Sequence, residues 1–138
     1  MRLDRYTIVD DFGGLVNPRL ALGQVHGGVA QGIGQSLLEH VAFDAEGQLL
    51  SGSLMDYALP RAQDLPNFAG GLKQTAPTAS NPLGVKGTGQ AGCIAAPQTI
   101  MNAVLDALAP LGIHELDMPA TPYLVWSAIQ AARAKRPT

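Results

Sequence analysis

The chain has 138 residues, of which 46% are hydrophobic and only 14% charged, with a net charge of −2. That length suits about one domain with a single core, while the charged fraction falls well below the roughly 25% of typical chains. There is no basic footprint for nucleic acid and no run of like charges, and so little charge suggests that part of the surface is covered by something else.

A single cysteine, Cys93, excludes an internal disulfide framework and a cysteine-based zinc or iron–sulfur site within the chain. The opening MRLDRYTIVDDF is charged at Arg2, Asp4 and Arg5 and lacks the apolar core of a signal peptide. No stretch reaches the ~18 uninterrupted apolar residues of a membrane span. No membrane partner is expected, and a cytoplasmic location is the default.

In chain order, RYTIV at 5–9 is β-rich and predicts a strand ended by Asp10-Asp11 and Gly13-Gly14. Asn17 and Pro18 then read as an N-cap and first helical position. Leu22, Val25, Val29, Ile33, Leu37 and Val41 recur every three or four residues, one helical stripe. Five glycines, Gly23, Gly27, Gly28, Gly32 and Gly34, interrupt it, each costing about 1 kcal/mol relative to alanine. Such a helix is either packed unusually closely or broken near its middle.

A strand is expected over Gln48–Leu54 after a turn at Glu46-Gly47, then loop from 56 to 70, then a short strand over Gly71–Ala76. A helix is predicted from about Ala96 to Ala109, with Pro97 in its first turn and Ile100, Val104, Leu105 and Leu108 on its apolar face. Pro110 and Gly112 stop it, and Ile113–Met118 is a link or strand. Thr121 and Pro122 begin a final helix through Ala134, where Arg133, Lys135 and Arg136 suit the negative end of the dipole. Helices and strands mix without regular alternation, so the fold class is α+β, in one segment spanning 1–138.

Between these elements lies NPLGVKGTGQAGCIAAP at 81–97, with Gly84, Gly87, Gly89 and Gly92. It contains a literal GxGxxG from Gly87 to Gly92. A dinucleotide-binding turn would follow a hydrophobic strand inside a βαβ unit, and NPLGV is no such strand. Lys86 precedes the glycines, so this is no phosphate-binding P-loop. Either the loop is a tight structural turn or its backbone approaches another polar ligand. His26 and His40 lie fourteen residues apart, about 21 Å along a helix, so they do not share an ion; no metal site is expected on this chain. Cys93, ahead of a helix start, reads as a small core residue, and Asp10-Asp11 as a solvated turn pair. Two glycine-rich segments, one with Gln24, Gln31 and Gln35 and one with Lys86 and Gln90, offer bare backbone and carboxamides to an extended polar ligand such as a pterin.

The runs GQVHGGVAQGIGQSLLEH, GSLMDYALPRAQDLP, NPLGVKGTGQAGCIAAP and LDMPATPYLVWSAI together resemble the C-terminal part of the molybdenum-binding large subunit of molybdenum hydroxylases, the xanthine dehydrogenase, aldehyde oxidoreductase and aerobic carbon monoxide dehydrogenase family. The resemblance implies oxidative hydroxylation of an aldehyde, a purine or another heteroaromatic, with water as the oxygen source. It implies a molybdenum–molybdopterin cofactor, plain or in its cytosine dinucleotide form, with Gln24, Gly28, Gln31, Gly32, Lys86, Gly87 and Gly89 as cofactor-binding residues. The implied partners are the remainder of the large subunit, iron–sulfur and FAD subunits or domains carrying [2Fe–2S] and FAD, and a small-molecule substrate.

Two departures from the family pattern stand out. The family's large subunit has several hundred residues upstream of this region. The chain opens inside what resembles a family strand, and AKRPT reads as a natural C-terminus, so a terminal piece is expected: a truncated product, an excised domain or one part of a split subunit. The family also writes KGxGE where this chain has KGTGQ, placing Gln90 at the position of the general base. A carboxamide hydrogen-bonds but has no useful basicity near neutral pH. The expectation is a cofactor-domain segment inactive alone; the alternative is a non-catalytic binding or assembly module, or a remnant.

Overall fold

The computed structural model describes residues 1–135. In chain order it contains strand β1 (Arg5–Asp11), helix α1 (Pro18–Leu37), a 3-10 turn (Ala62–Asp64), strand β2 (Asn67–Lys73) and a short helix α2 (Ala91–Ile94). Helix α3 (Ala96–Leu108), a second 3-10 turn (Ala109–Leu111) and helix α4 (Pro122–Ala134) complete it. This is the expected α+β mixture. The chain forms two compact units, Met1–Gly32 with Arg61–Ala96, and Ile33–Pro60 with Pro97–Thr138.

In the first unit β1 and β2 pair in parallel, from Arg5 opposite Asn67 to Asp11 opposite Lys73. Side chains alternate along β1: Arg5, Thr7 and Val9 are exposed while Tyr6, Ile8 and Asp10 are half-buried, the period of two that one covered face imposes. On the covered side Phe12, Ala21 and Val25 form a core, with Ile8, Leu15, Leu72 and Ala91 packed against it. Burying a side chain the size of valine or phenylalanine stabilises by about 1.5–3 kcal/mol, so these few residues fix helix to sheet.

Helix α1 starts as predicted. Asn17 Oδ1 accepts from the Leu20 amide at 3.0 Å, and Pro18 occupies the first turn, where its missing N–H costs nothing. The helix is unbroken across its glycines. Val25, Val29, Ile33 and Leu37 are buried as the stripe requires, but Leu22 is 38% and Val41 54% exposed, and Ala21 takes the inner position instead of Leu22. It ends at Leu37, not Val41, because the amides of Leu38 and Glu39 both bond to the Gly34 carbonyl, at 3.0 and 2.8 Å, closing the last turn.

β2 begins earlier than expected, at Asn67 within the predicted loop, and stops at Lys73. The Asp11 carboxylate captures the amides of Thr75 and Ala76, which turns the chain out of the ladder.

In the second unit the strand expected over Gln48–Leu54 does not form; only an isolated bridge joins Phe43 and Leu49. Asp44 Oδ1 accepts from the amides of Glu46 and Gln48, and the Ser53 carbonyl accepts from those of Asp56 and Tyr57. Local side-chain and turn bonds outcompete a ladder here. Ile33, Leu37, Ile100, Met101, Val104, Leu108, Ile113, Ala120 and Val125 are buried in this unit. Gly112, at φ +80°, closes the turn after α3, and Thr121 caps α4, its side chain accepting from the Leu124 amide at 3.3 Å. Ile113–Met118 forms neither helix nor strand. Arg133 sits in the last turn of α4 and Lys135 at its C-cap; Arg136 lies outside the described residues.

Candidate functional site

The glycine loop is anchored before it is open. Gly13 and Val85 form an antiparallel bridge, the Lys86 amide donates to the Phe12 carbonyl at 3.0 Å, and the Gly14 amide donates to that of Gly84 at 3.2 Å. Gly13, at φ +64°, must be glycine, since a Cβ there would overlap the Gly84 carbonyl oxygen. Asn81 shapes the approach: its Oδ1 accepts from the amides of Leu83 and Val85, and its Nδ2 donates to the Val85 carbonyl.

Asp11 clamps the same region, and is not the solvated turn residue that the sequence suggested. Its carboxylate accepts from the Thr75 hydroxyl at 2.5 Å, the Thr75 amide at 2.8 Å, the Ala76 amide at 3.1 Å and the Gly13 amide at 2.9 Å. Lys86 Nζ approaches at 3.5 Å. The Thr75 hydroxyl first, then the Gly13 amide, with smaller help from the Thr75 amide and the Lys86 charge, hold this carboxyl well below the usual carboxylate range despite some desolvation. Asp10, pointing to the other face of the strand, has a buried Oδ2 with no hydrogen-bond partner among the described residues, and burial raises its pKa.

Beyond this anchor the glycines divide into two kinds. Gly28 of α1 faces the α2 turn: a Cβ on it would stand 2.8 Å from the Cys93 nitrogen and 2.9 Å from the Gly92 Cα. A Cβ on Gly92 would overlap the Val25 carbonyl oxygen. The two backbones touch, and this is what holds the end of the loop to the helix. Gly87 and Gly89 have nothing within 4 Å of where a Cβ would be, and the same is true of Gly23 and Gly27 on α1. Packing therefore accounts for Gly28 and Gly92 and leaves the bare backbone at Gly87 and Gly89 unexplained by the fold.

Of the residues singled out in the sequence for a cofactor or for chemistry, Gln35 falls in the second unit, and Gln24, Gly28, Gln31, Gly32, Lys86, Gly87, Gly89 and Gln90 fall in the first. Gln24 and Gln31 are exposed on α1, and Gly28 and Gly32 are buried in it. Lys86 is turned onto Asp11, with its ammonium 3.3 Å from the Asp11 carbonyl oxygen. Gln90 is exposed at the N-cap of α2, where its side chain makes no capping bond; its carbonyl accepts from the amides of Cys93 and Ile94 and from the Cys93 thiol at 3.4 Å. The fold thus brings Gly28 to the turn that Gln90 begins, and Lys86 to β1. The sequence reading missed Asp11, Asn81 and Gly92 as organisers of this loop. An Asn two residues before a Leu-Gly pair was the available signal for the first turn; nothing local pointed Asp11 at residues 75 and 86.

His26 packs on Phe68 with ring centroids 4.9 Å apart. Among the described residues no three His, Cys, Asp or Glu side chains group as a metal site, and no helix is long and apolar enough to cross a membrane.

Comparison with known proteins adds to this geometry. The model of a molybdopterin cofactor-binding domain matches residues 1–66. The carbon monoxide dehydrogenase large chain of Hydrogenophaga pseudoflava is 36% identical over 129 residues, 94% of this chain and 16% of its own length. The nicotine 6-hydroxylase large subunit of Paenarthrobacter nicotinovorans is 40% identical over 122 residues, 88% of this chain and 15% of its own length. Among solved structures, quinoline 2-oxidoreductase from Pseudomonas putida 86 superposes with a TM-score of 0.89 at 40% identity, covering 99% of this chain and 17% of that one. The chain therefore spans about 16% of the length of the curated relatives it matches.

Proposed function

The chain belongs to the molybdenum hydroxylase large-subunit family, and from that premise we propose that its first unit lies against the molybdenum cofactor, with Gly87, Gly89 and Gln90 approaching it from the loop and Gln24 and Gln31 from α1. The observation that carries this reading is the pair Gly87 and Gly89, held in place by the Asp11 and Gly28–Gly92 anchors yet facing open space. A cofactor rich in donors and acceptors suits such bare backbone and the free carboxamides of Gln24, Gln31 and Gln90, so the residues present fit the group.

When bound, the cofactor supplies a redox-active metal centre that accepts the electrons of substrate oxidation. The work of this chain is positional. Lys86, neutralised by Asp11, stiffens the loop from behind. Gly28 against Gly92 sets the depth of the α2 turn, and so of Gln90 at its start. The Gln90 carboxamide donates and accepts hydrogen bonds but takes no proton near neutral pH, so it orients a substrate or cofactor atom without acting as a base. Substrate hydroxylation by this chain alone is accordingly absent. The plain or cytosine dinucleotide form of the cofactor, the [2Fe–2S] and FAD partners, and a cytoplasmic site of action follow from the family reading.

The test uses Gly89→Val, a change the fold has room for. In the presence of the remaining large-subunit chain, molybdenum retention should fall at least tenfold with thermal stability little changed. Full retention would contradict the reading. A second reading, a non-catalytic assembly module, is favoured by exposed apolar side chains such as Leu54 at 77% and Met55 at 93%. A well-behaved monomer that binds no other chain would count against it.

A further inference from the structure

Strand β1 has one edge against β2, and its other edge meets no strand among the described residues. The backbone of every second residue turns toward β2. A Cβ on Gly70 would overlap the Ile8 carbonyl oxygen, the Phe12 amide donates to Lys73, the Phe12 carbonyl accepts from Lys86, and the Gly14 amide donates to Gly84. Backbone groups alternate in direction along a strand, so those of Arg5, Thr7, Val9 and Asp11 face the outer edge. The glycine loop, bonded to Phe12 and Gly14, continues the β2 side and leaves this edge clear.

Strand β2 also has an outer edge, but a poor one. Gly70, at φ +134°, breaks its extended course, Gly71 follows, and Lys73 ends it. An irregular glycine and a lysine are among the devices that keep edges from pairing. β1, RYTIVDD, has no glycine, proline or lysine, and its Tyr, Thr, Ile and Val favour strands. Two strands are also fewer than sheets ordinarily have.

The order of charges along β1 selects the occupant. Antiparallel pairing of β1 with itself about Ile8 places Arg5 opposite Asp11 of the second copy and Thr7 opposite its Val9, and the reverse. Every outward-facing residue then has a partner, and each end of the ladder joins opposite charges, which favour pairing directly across strands. Centring the pair on Thr7 leaves Asp11 unpaired, and centring it on Val9 leaves Arg5 unpaired. In-register parallel pairing sets Arg5 beside Arg5 and Asp11 beside Asp11, like charges that oppose it. The Asp11 carbonyl already meets Lys86 Nζ at 3.3 Å and keeps a second lone pair for the Arg5 amide. On the other face Tyr6 comes opposite Asp10, whose buried Oδ2 has no hydrogen-bond partner among the described residues. Arg5 and Thr7 are exposed and Val9 is 59% exposed.

We propose that β1 is the interface of a homodimer. Two copies of this chain join β1 edge to edge, antiparallel about Ile8, and their two-stranded sheets become one continuous sheet. The inference concerns a second copy of the chain and stands apart from the cofactor reading.

The test is sedimentation equilibrium of the full chain over a concentration series, with Arg5→Glu, Arg5→Lys and Val9→Pro. Val9→Pro removes an outward amide and leaves the bonds to β2 in place. Arg5→Glu, at an exposed position, sets like charges across the ladder. A reversible dimer weakened at least tenfold by Arg5→Glu and by Val9→Pro, and kept by Arg5→Lys, supports the proposal. Register is read by cross-linking in a Cys93→Ser background. An air-oxidised mixture of Thr7→Cys and Val9→Cys should form disulfide dimers at least tenfold faster than either variant alone, since hydrogen-bonded partners lie about 5.5 Å apart, within disulfide reach. A monomer at all concentrations, a dimer indifferent to Arg5→Glu, or equal cross-linking of the single variants overturns it. So does a monomer whose Thr7 and Val9 amides become protected from exchange only when the remaining large-subunit chain is added, which gives the edge to that chain. None of these results bears on molybdenum retention, which tests the cofactor reading by itself.

Discussion

Gly28 and Gly92 meet backbone to backbone, with a Cβ on Gly28 placed 2.9 Å from the Gly92 Cα. Two glycines far apart in sequence thereby become one joint between helix α1 and the turn that begins at Gln90. Gly28 lacks a side chain because Gly92 and Cys93 are there, and Gly92 lacks one because the Val25 carbonyl of α1 is there.

This joint separates packing glycines from open ones. Gly92→Ala forces a methyl group onto the Val25 carbonyl and should destabilise the chain by about 1–3 kcal/mol, the usual cost of overpacking. Gly87→Ala should stay within about 0.5 kcal/mol, as surface changes do. Urea titration of both variants checks the contrast, and equal losses would contradict it.

Asp11 makes stability depend on acid. Its folded pKa is depressed, so its contribution is complete above the ordinary carboxylate value of 3.8 and is lost as pH falls below that toward the depressed folded value. Asp11→Asn should lower the melting temperature at pH 7 and flatten its fall below about pH 4. The measurement is thermal unfolding from pH 7 to pH 2; parallel curves for parent and variant would remove Asp11 from its place as the clamp.

In the second unit, the Tyr57 hydroxyl donates to Glu39 Oε2 at 2.6 Å, and a Cβ on Gly34 would strike the Glu39 carboxylate and Pro60. The hydrogen bond to Glu39 first, then desolvation, then the charge of Glu39, raise the Tyr57 pKa. Its contribution is therefore present below the ordinary tyrosine value, about 10, and lost as pH rises through the raised folded value. Alkaline absorbance titration should show a late tyrosinate step that Tyr57→Phe removes, and the variant should open the 53–60 segment to proteolysis. A titration unchanged by Tyr57→Phe would refute the raised pKa that the Glu39 hydrogen bond gives Tyr57.

The sequence made the helices legible and the short strands poorly so. The stripe Val25, Val29, Ile33, Leu37 repeats over several turns, and Asn17-Pro18 and Thr121-Pro122 mark two helix starts locally. Helix α1 overran in the reading because the end of a stripe does not mark the bond that closes a helix. The strand expected at Gln48–Leu54 failed because Asp44 and the Ser53 turn hold that segment by local bonds that pattern alone does not weigh. The candidate site was half legible: Gly87, Gly89 and Gln90 stood out by composition as proposed contacts. Asp11, whose bonds reach 64 and 75 residues along the chain, could not be found from its own neighbours.

Gln90 carries the chemical prediction. Gln90→Glu places a carboxylate at the start of α2, and with the remaining large-subunit chain present it should raise turnover of an aldehyde or purine with an artificial acceptor at least a hundredfold, the low end of what a positioned general base contributes. The change should leave molybdenum content alone. Turnover by the parent at the same rate would show that Gln90 is not what limits it.

This chain is proposed to supply part of the surrounds of a molybdenum cofactor. Metal analysis by mass spectrometry tests it most directly, on the chain purified from a host that makes the cofactor, alone and together with the remaining large-subunit chain. Molybdenum close to one equivalent in the paired sample, and lost on Gly89→Val, is the predicted result. No molybdenum in either sample would mean that the chain does not border the cofactor.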